Sequence, residues 1–138
     1  MKSILFVCHG NICRSPMAEY IMKYLTNNAY DISSRATTLD EIGNDIYPPI
    51  KKVLDNHHIP YENHSAKKIT VDDYNKFDMI ICFDEENYQD LIKMFNTSNK
   101  IFKLLDYDID DPWWTREFER CYQETYQGCL ELKNRINK

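Results

Sequence analysis

Short apolar runs that alternate with amphipathic segments restrict the fold of this 138-residue chain more than any other feature. Residues 3–7 and 77–83 are apolar runs of strand length, as expected for strands buried on both faces of a parallel sheet. Residues 31–36 and 101–105 are weaker strand candidates. Because helical segments lie between these strands, the order predicts an α/β fold with a mostly parallel sheet and helices on both of its faces.

Local signals place the helices between these strands. Ser15-Pro16 is typical of an N-cap followed by the first helical residue, and a capping box begins at Thr70. With 43% apolar residues, a chain of this length is expected to form a single domain over residues 1–138. The expected helices begin at Ser15, cover residues 41–56, begin at Thr70, follow a cap at Asp84 and cover residues 118–136.

The composition restricts the partners of the protein. The formal net charge of -5 argues against binding to nucleic acid or to an anionic membrane surface. The apolar run near the N-terminus is too short for the core of a signal peptide, and an odd number of cysteines, five, does not suggest a secreted disulfide framework. We therefore expect a cytoplasmic protein with reduced thiols.

The stretch VCHGNICRSP, residues 7–16, crowds reactive side chains between the first strand and the first helix. A dinucleotide or Walker-type loop needs several glycines or a Gly-Lys-Ser/Thr ending, and this stretch has one glycine and no lysine. A zinc site needs Cys-x2-Cys pairs with matching Cys or His residues, whereas four residues separate Cys8 from Cys13. Neither a metal nor a cofactor is expected here.

Cys8 ends the first strand, and the loop after it leads into a helix N-terminus. An isolated cysteine in such a place is usually a small buried hydrophobic residue. Here, however, the N–H groups of residues 9–14 can converge next to the positive end of the helix, which favours an anion and a thiolate. Arg14 can hold two phosphate oxygens with its planar guanidinium. We interpret Cys-x5-Arg-Ser as a loop that binds a tetrahedral dianion against a nucleophilic sulfur.

Phosphoryl transfer to a cysteine also needs a group that protonates the departing oxygen and later activates water. Asp110 and Asp111 follow the strand candidate at 101–105 and are expected at the same edge of the sheet as the cysteine loop. Asp111 is favoured because it directly precedes a proline, although this pattern alone leaves Asp110 open. Trp113 and Trp114 are either core residues or walls of a slot for a flat aromatic group.

Six segments of the chain, taken together, resemble one known family. They are VCHGNICRSPMAE (7–19), ISSRAT (32–37), EIGN (41–44), HIPYENHSAKKIT (58–70), MIICFDEEN (79–87) and DP (111–112). In this order and approximate spacing they resemble the low-molecular-weight protein tyrosine phosphatases, nearly from end to end. The resemblance implies a four-stranded parallel sheet flanked by helices, the phosphotyrosine phosphatase I-like fold. It also implies metal-independent hydrolysis of phosphotyrosine in proteins and of small aryl phosphates.

The resemblance implies a role for individual residues. Cys8 is the implied nucleophile, Arg14 the phosphate clamp, and Asp111 the general acid and then the general base. The implied phosphate-binding positions are His9, Gly10, Asn11, Ile12, Cys13 and Ser15, the supporting positions are Ser34 and His64, and the slot walls are Asp40, Trp113 and Trp114.

Some positions carry a regulatory hypothesis or depart from the family pattern. Cys13 matches a cysteine that in the family traps the oxidised nucleophile as a reversible disulfide. His9 stands where many members carry an apolar residue or threonine, and Asp40 where an aromatic residue is frequent. Trp113 and Trp114 replace the usual Tyr-Tyr pair. These departures leave the substrate preference open.

Three other functions use related residues. Arsenate reductases on this scaffold need two further cysteines in a mobile segment, whereas Cys82 is expected in a buried strand and Cys121 and Cys129 in the last helix. Protein-arginine phosphatases resemble this loop but carry Thr in place of Ile12, which favours phosphotyrosine. A silent phosphate-binding module would be expected to lose the nucleophile or the acid, and both are present.

Overall fold

The computed structural model describes residues 2–137 and contains the predicted α/β fold. The strands are β1 (Ser3–Cys8), β2 (Asp31–Ala36), β3 (Met79–Cys82) and β4 (Ile101–Lys103). They pair in parallel in the order β2-β1-β3-β4. The helices are α1 (Arg14–Leu25), α2 (Pro48–Asn56), α3 (Val71–Lys76), α4 (Glu85–Phe95), α5 (Pro112–Thr115) and α6 (Phe118–Ile136).

Strand β1 is buried on both faces because successive side chains of a strand point in opposite directions. Ile4 and Phe6 pack into a core with residues of α1, α2 and α6. Leu5 and Val7 pack into a second core on the other face, where α3 and α4 lie. The prediction of a four-stranded parallel sheet with helices on both faces is therefore confirmed.

Helix α1 begins one residue before the predicted N-cap. It starts at Arg14, and Cys13 is in the N-cap position without a side-chain cap. The hydroxyl of Ser15 lies 3.0 Å from Cys8 Sγ and makes no cap. The prediction that Ser15 caps α1 was wrong, because this hydroxyl is used by the sulfur at the end of β1.

Helix α2 is shorter than the sequence indicates. It covers Pro48–Asn56, so the predicted helix over 41–56 was wrong for its first seven residues. Those residues form backbone hydrogen bonds with distant segments: Gly43 N donates to Ala66 O, and Tyr47 N donates to Ile12 O, each at 2.9 Å. Two prolines at the first helical positions, which need no N–H donor, set the start of the helix.

The other predicted helix starts agree with the structure. Thr70 and Asp73 form a complete capping box at the start of α3, and the Asp84 side chain accepts a hydrogen bond from Asn87 N at the start of α4. Strands β3 and β4 are shorter than their apolar runs, and the short helix α5 has no periodic signal. No helix within residues 2–137 is long and apolar enough to cross a membrane.

The strand order places the site. Strand β1 lies between β2 and β3, so the connections after β1 and after β3 leave the sheet beside each other at its carboxyl edge. Ligands of open parallel sheets bind in the crevice at such a point. The cysteine loop follows β1 and Asp84 follows β3, so both lie at this crevice.

Candidate active site

A cavity of about 480 Å³ opens at the carboxyl edge of the sheet. It brings together the three side chains that the sequence analysis singled out for chemistry, Cys8, Arg14 and Asp111. Its floor is the loop after β1, and its far side is the turn that carries α5. The lining residues are Cys8, His9, Gly10, Ile12, Cys13, Arg14, Asp40, Glu41, Asp84, Glu86, Asp111, Trp113 and Trp114.

The Cys8 sulfur lies at the floor of this cavity among hydrogen-bond donors. Asn11 N donates to Cys8 Sγ at 3.3 Å, and Ser15 Oγ lies 3.0 Å from the same sulfur. The Asn11 side chain donates from Nδ2 to Ser15 Oγ at 2.7 Å, and the serine hydroxyl lies closer to Cys8 Sγ, at 3.0 Å, than to the Arg35 carbonyl oxygen, at 3.4 Å. This chain of donors ends on Sγ and stabilises a negative charge there.

Asn11 holds the loop in its sharp curve. Its φ of 61° is in the left-handed region, which asparagine adopts more readily than most residues. The side-chain oxygen accepts from Lys67 N at 3.2 Å, and the carbonyl oxygen accepts from His64 Nε2 at 2.7 Å. His64 and the segment beside it therefore fix Asn11 from behind.

Five carbonyl groups of the loop accept hydrogen bonds from neighbouring segments or from helix α1. Because the C=O of one residue and the N–H of the next point in opposite directions across a trans peptide, five loop amides are turned toward the opposite side, the inside of the loop. The carbonyl acceptors and their donors are Cys8 with Thr37 N at 2.9 Å, His9 with Thr38 N at 3.3 Å, Asn11 with His64 Nε2 at 2.7 Å, Ile12 with Tyr47 N at 2.9 Å, and Cys13 with Met17 N at 3.2 Å.

Arg14 is buried, with 2% of its surface exposed, and its guanidinium is held from two sides. Nη1 donates to Asp84 Oδ2 at 2.7 Å and to the carbonyl of Ile109 at 2.8 Å. Burial lowers the pKa of Arg14, but the charges of Cys8, Asp84 and Asp111 outweigh burial and raise the pKa above its ordinary value. Arg14 thus remains a fixed positive charge beside the sulfur.

Of the two candidate acids, Asp111 lines the cavity, whereas Asp110 is exposed and lies outside the lining. Asp111 is the N-cap of α5, and its Oδ1 accepts from Trp113 N at 3.0 Å. Its Oδ2 lies 3.7 Å from Arg14 Nη2. One carboxylate oxygen is thus used by the turn, and the other faces the guanidinium.

The mouth of the cavity, the slot rim, consists of His9, Asp40, Glu86, Trp113 and Trp114. Trp113 is 40% and Trp114 79% exposed, so of the two alternatives for these tryptophans, core residues or slot walls, the structure excludes the core. His9 Nε2 lies 2.8 Å from Asp40 Oδ2, and His9 Nδ1 lies 3.7 Å from Glu86 Oε1. Each nitrogen of the imidazole thus has a carboxylate near it.

Two of the predicted phosphate-binding residues, Asn11 and Ser15, do not line the cavity, and the predicted supporting residue Ser34 contacts helix α1. Asn11 and Ser15 are fully buried and lie outside the cavity lining. The Ser34 hydroxyl donates to Glu19 Oε1 at 2.6 Å, so its contact is with α1 and not with the loop. Gly10 has no left-handed φ, and a Cβ at this position would lie 3.2 Å from Glu41 Cγ, a tight contact that a small shift of the Glu41 side chain would have to relieve.

The four cysteines other than Cys8 are buried, and burial raises the pKa of each thiol. Burial raises the pKa of the Cys13 thiol far above its ordinary value, and the charges of Cys8 and Asp111 raise it further. Burial also raises the pKa of Cys82 and of Cys121 to about 12, and that of Cys129 well above its ordinary value. All five cysteines are free thiols.

The sequence analysis assigned Asp84 to helix capping and missed its contact with Arg14. The residue does both, because Oδ1 accepts from Asn87 N while Oδ2 accepts from Arg14 Nη1. Its position directly after β3 was the available signal, since β3 ends beside the cysteine loop. The carbonyl of Ile109 had no such signal, because any residue type supplies a backbone oxygen.

Comparisons with known proteins agree with this geometry. The sequence profile described as low molecular weight phosphotyrosine protein phosphatase matches residues 3–138. The chain is 39% identical to the low molecular weight phosphotyrosine protein phosphatase of Gallus gallus, over 94% of this chain and 92% of that protein. It is 38% identical to the low molecular weight protein-tyrosine-phosphatase PtpA of Staphylococcus saprophyticus, over 100% and 96% of the two chains.

A solved structure extends the agreement to three dimensions. The crystal structure of SP-PTP, a low molecular weight protein tyrosine phosphatase from Streptococcus pyogenes, superimposes with a TM-score of 0.95. The two proteins are 39% identical, and the match covers 99% of this chain and 93% of the other. From its sequence, its fold and the geometry of its cavity, the chain belongs to the low molecular weight phosphotyrosine protein phosphatase family.

Proposed function

We propose that the protein hydrolyses phosphotyrosine in proteins, and small aryl phosphates, through a phosphocysteine intermediate on Cys8. The observation that carries this proposal is the meeting of Cys8, Arg14 and Asp111 in one cavity. A nucleophile, a fixed positive charge and a carboxylate are the three groups that metal-free phosphoryl transfer to a thiolate requires.

The loop amides supply the phosphate-binding site in this proposal. Their orientation toward the inside of the loop supports binding of three phosphate oxygens above the sulfur. Asp84 and the carbonyl of Ile109 hold Nη1 of Arg14, and Nη2, which lies 3.7 Å from Asp111, donates to the phosphate in this proposal. Arg14 then holds the oxygens that gain charge in the transition state.

In the first step the Cys8 thiolate attacks phosphorus, and the bond between phosphorus and the phenolic oxygen breaks. Asp111 enters this step as the neutral acid and gives its proton to the departing oxygen, so tyrosine leaves as a phenol. The hydrogen bond from Trp113 N to Oδ1 holds the carboxyl group, so that Oδ2 is available for this transfer. The products are a free tyrosine side chain, phosphocysteine and an Asp111 carboxylate.

In the second step the Asp111 carboxylate takes a proton from water, and the oxygen of that water attacks phosphorus. The bond between phosphorus and Cys8 Sγ breaks, and the electron pair returns to sulfur. The Ser15 hydroxyl and Asn11 N–H stabilise the returning thiolate. Inorganic phosphate leaves, and Asp111 is again protonated as at the start of the cycle.

The shape and chemistry of the slot favour an aromatic substrate. Trp113 and Trp114 stand on one side of the cavity, and Ile12 lies at its base. A phenyl ring fits between such apolar walls, whereas phosphoserine is too short to fill the slot. The apolar side chain of Ile12 offers no polar partner to the guanidinium of phosphoarginine, the rival substrate on this scaffold.

The test compares kcat/KM on matched peptides that carry phosphotyrosine, phosphoserine or phosphoarginine, with a chelator present and arsenate reduction as a control. We expect hydrolysis of phosphotyrosine without metal, inhibition by vanadate, and little turnover of the other two peptides. Preference for phosphoarginine, reduction of arsenate, or dependence on an added metal would each contradict the proposal.

We also propose that oxidation joins Cys8 and Cys13 in a reversible disulfide that inactivates the enzyme. Both residues belong to the same loop and line the same cavity, which supports this pairing. Peroxide oxidises the Cys8 thiolate to a sulfenic acid, and the Cys13 thiol displaces water from it. Mass spectrometry of the peptide that contains both residues should show a loss of two hydrogens after peroxide treatment; an over-oxidised Cys8 with an intact Cys13 thiol would contradict the pairing.

We further propose that the protein works in the cytoplasm, where thiols stay reduced. The free thiol of Cys8, on which the chemistry depends, supports this location. Fractionation of cells followed by immunoblotting tests it, and recovery of the protein mainly from the medium or from membranes would contradict it.

A further inference from the structure

The turn that carries Asp111 needs support from outside itself. Helix α5 has only four residues, and a helix of that length is not stable alone. Its C-cap is Arg116, whose φ of 61° is in the left-handed region and whose N–H donates to Pro112 O at 2.9 Å. The position of Asp111 over the cavity therefore depends on what the residues after it contact.

Arg116 is an exposed residue whose guanidinium lies against two aromatic rings at the end of this turn. Its guanidinium carbon lies 5.4 Å from the centre of the Tyr47 ring and 4.9 Å from that of the Phe118 ring. Both distances are within the range of about 6 Å for cation–π contacts. Arg116 Nη1 also donates to the Tyr47 hydroxyl at 2.9 Å, which fixes the guanidinium along the ring.

Tyr47 connects this turn with the floor of the cavity. Its backbone N–H donates to the carbonyl of Ile12, in the cysteine loop, and its backbone lies at the start of α2. Its ring lies 4.8 Å from the ring of Trp113, on the same turn as Asp111. One residue thus contacts the phosphate-binding loop through its backbone and the acid-bearing turn through its side chain.

We propose that Tyr47 and Arg116 are positioning residues for Asp111. They fix the distance between the acid-bearing turn and the floor of the cavity, so that the carboxyl group reaches the departing oxygen. This inference rests on the proposed function, because it assumes that Asp111 is the general acid. Neither residue lines the cavity, so their effect is on the acid and not on substrate contact.

The leaving group of the substrate distinguishes positioning from general stabilisation. 4-Nitrophenolate leaves without much help from an acid, whereas phenolate needs a proton. Arg116→Ala should lower kcat/KM on phenyl phosphate about tenfold, a part of the roughly 10²–10⁴-fold that general acids contribute, and should change kcat/KM on 4-nitrophenyl phosphate by less than about threefold. Arg116→Lys keeps the positive charge on the rings, so its loss of kcat/KM on phenyl phosphate should be smaller than that of Arg116→Ala.

Tyr47→Phe and Arg120→Ala complete the set. Tyr47→Phe keeps the ring and loses the hydrogen bond to Arg116, so its effect should be smaller but equally selective for phenyl phosphate. Arg120 is also an exposed arginine close in sequence, but its ion pairs are with Glu117 and Glu124. Arg120→Ala should leave kcat/KM on both substrates unchanged. Thermal unfolding of each variant measures any general loss of stability.

A double variant tests whether Arg116 acts through Asp111. If it does, adding Arg116→Ala to Asp111→Asn should cost no further activity on phenyl phosphate. The inference is overturned if Arg116→Ala lowers kcat/KM equally on both substrates, or lowers it on neither. It is also overturned if Arg116→Ala adds its full effect to that of Asp111→Asn. Failure of the proposed function is a different result, since Asp111→Asn alone would then show no selectivity for the leaving group.

Discussion

The floor and the rim of the slot differ in how firmly their side chains are held. At the floor, Cys8, Asn11 and Arg14 are 3% exposed or less. Asn11 and Arg14 have hydrogen-bond partners from distant segments, and the Cys8 sulfur has partners in its own loop and at the start of α1. At the slot rim, the side chain of Asp40 is 63% exposed and that of Glu86 is 72% exposed, and both carboxylates contact His9. The floor is built for one geometry, and the rim leaves its charges facing solvent.

This difference separates chemistry from substrate choice. Preorganised charges in a buried site stabilise a transition state because they need no rearrangement during the reaction. Exposed charges are screened by water and salt, so they affect which substrate approaches more than how fast it reacts. Substitutions at the floor should therefore abolish turnover, and those at the rim should change preference by small factors.

The largest effect is expected from the sulfur at the floor. Cys8→Ser removes the nucleophile and should lower kcat by about 10⁴-fold or more, as for other nucleophiles in covalent catalysis. Phosphate binding, measured by calorimetry, should persist because the loop amides and Arg14 remain. Cys82→Ser is the matched control, since Cys82 lies in the core on the other face of the sheet. Substantial turnover by Cys8→Ser would show that Cys8 is not the nucleophile.

The acid should show the next largest effect. Asp111→Asn should lower kcat/KM on phenyl phosphate by about 10²–10⁴-fold and on 4-nitrophenyl phosphate much less, because only phenolate needs the proton. Asp110→Asn is the adjacent control and should leave both values near those of the natural protein. If Asp110→Asn had the selective effect, the roles assigned to the two acids would be reversed.

Asn11 tests how much of the floor depends on its supports. Asn11→Ala leaves Lys67 N without its acceptor and Ser15 without its donor, so unfolding free energy should fall by about 1–3 kcal/mol beyond the strain of alanine in the left-handed region. Asn28→Ala controls for that strain, because Asn28 has a φ of 58° and is exposed. Urea denaturation of both variants measures the difference, and equal losses would show that the buried hydrogen bonds add nothing.

The smallest effect is expected at the rim. Asp40→Asn removes one carboxylate beside the opening and should reduce the preference for peptides with Lys or Arg next to phosphotyrosine by about two- to fivefold, as for exposed ion pairs. Hydrolysis of 4-nitrophenyl phosphate should not change. Asp72 is an exposed acid on α3, and Asp72→Asn should change neither the peptide preference nor the hydrolysis of 4-nitrophenyl phosphate. The comparison between floor and rim would fail if Asp40→Asn reduced turnover of the small substrate as strongly as the floor variants.

Sequence and structure agree best where one local pattern carries the information. The spacing of Cys8 and Arg14, with a strand before and a helix after, predicts both the loop and its place at the edge of the sheet. The choice between Asp110 and Asp111 depended on family resemblance, because both acids follow the same strand. Only the folded chain, in which the Asp111 side chain caps α5, orients one of them toward Arg14.

The features that sequence could not predict depend on contacts between distant segments. The residues before Pro48 have helical periodicity, yet backbone hydrogen bonds to Ala66 and Ile12 hold them in a loop. The same tertiary contacts bring Tyr47 beside Arg116, 69 residues away. Ser15 has the local signal of a helix cap, and the absence of that cap could not be predicted from its neighbours.

The two hydrogen bonds of Asp84 restrict how this part of the protein can vary. One oxygen starts helix α4, and the other holds the guanidinium of Arg14. Asparagine at this position would preserve the helix start and lose a negative charge beside Arg14, and alanine would lose both. Mutational scanning should therefore find no substitution of Asp84 that leaves folding and activity both intact, although the residue never touches the substrate in the mechanism proposed above.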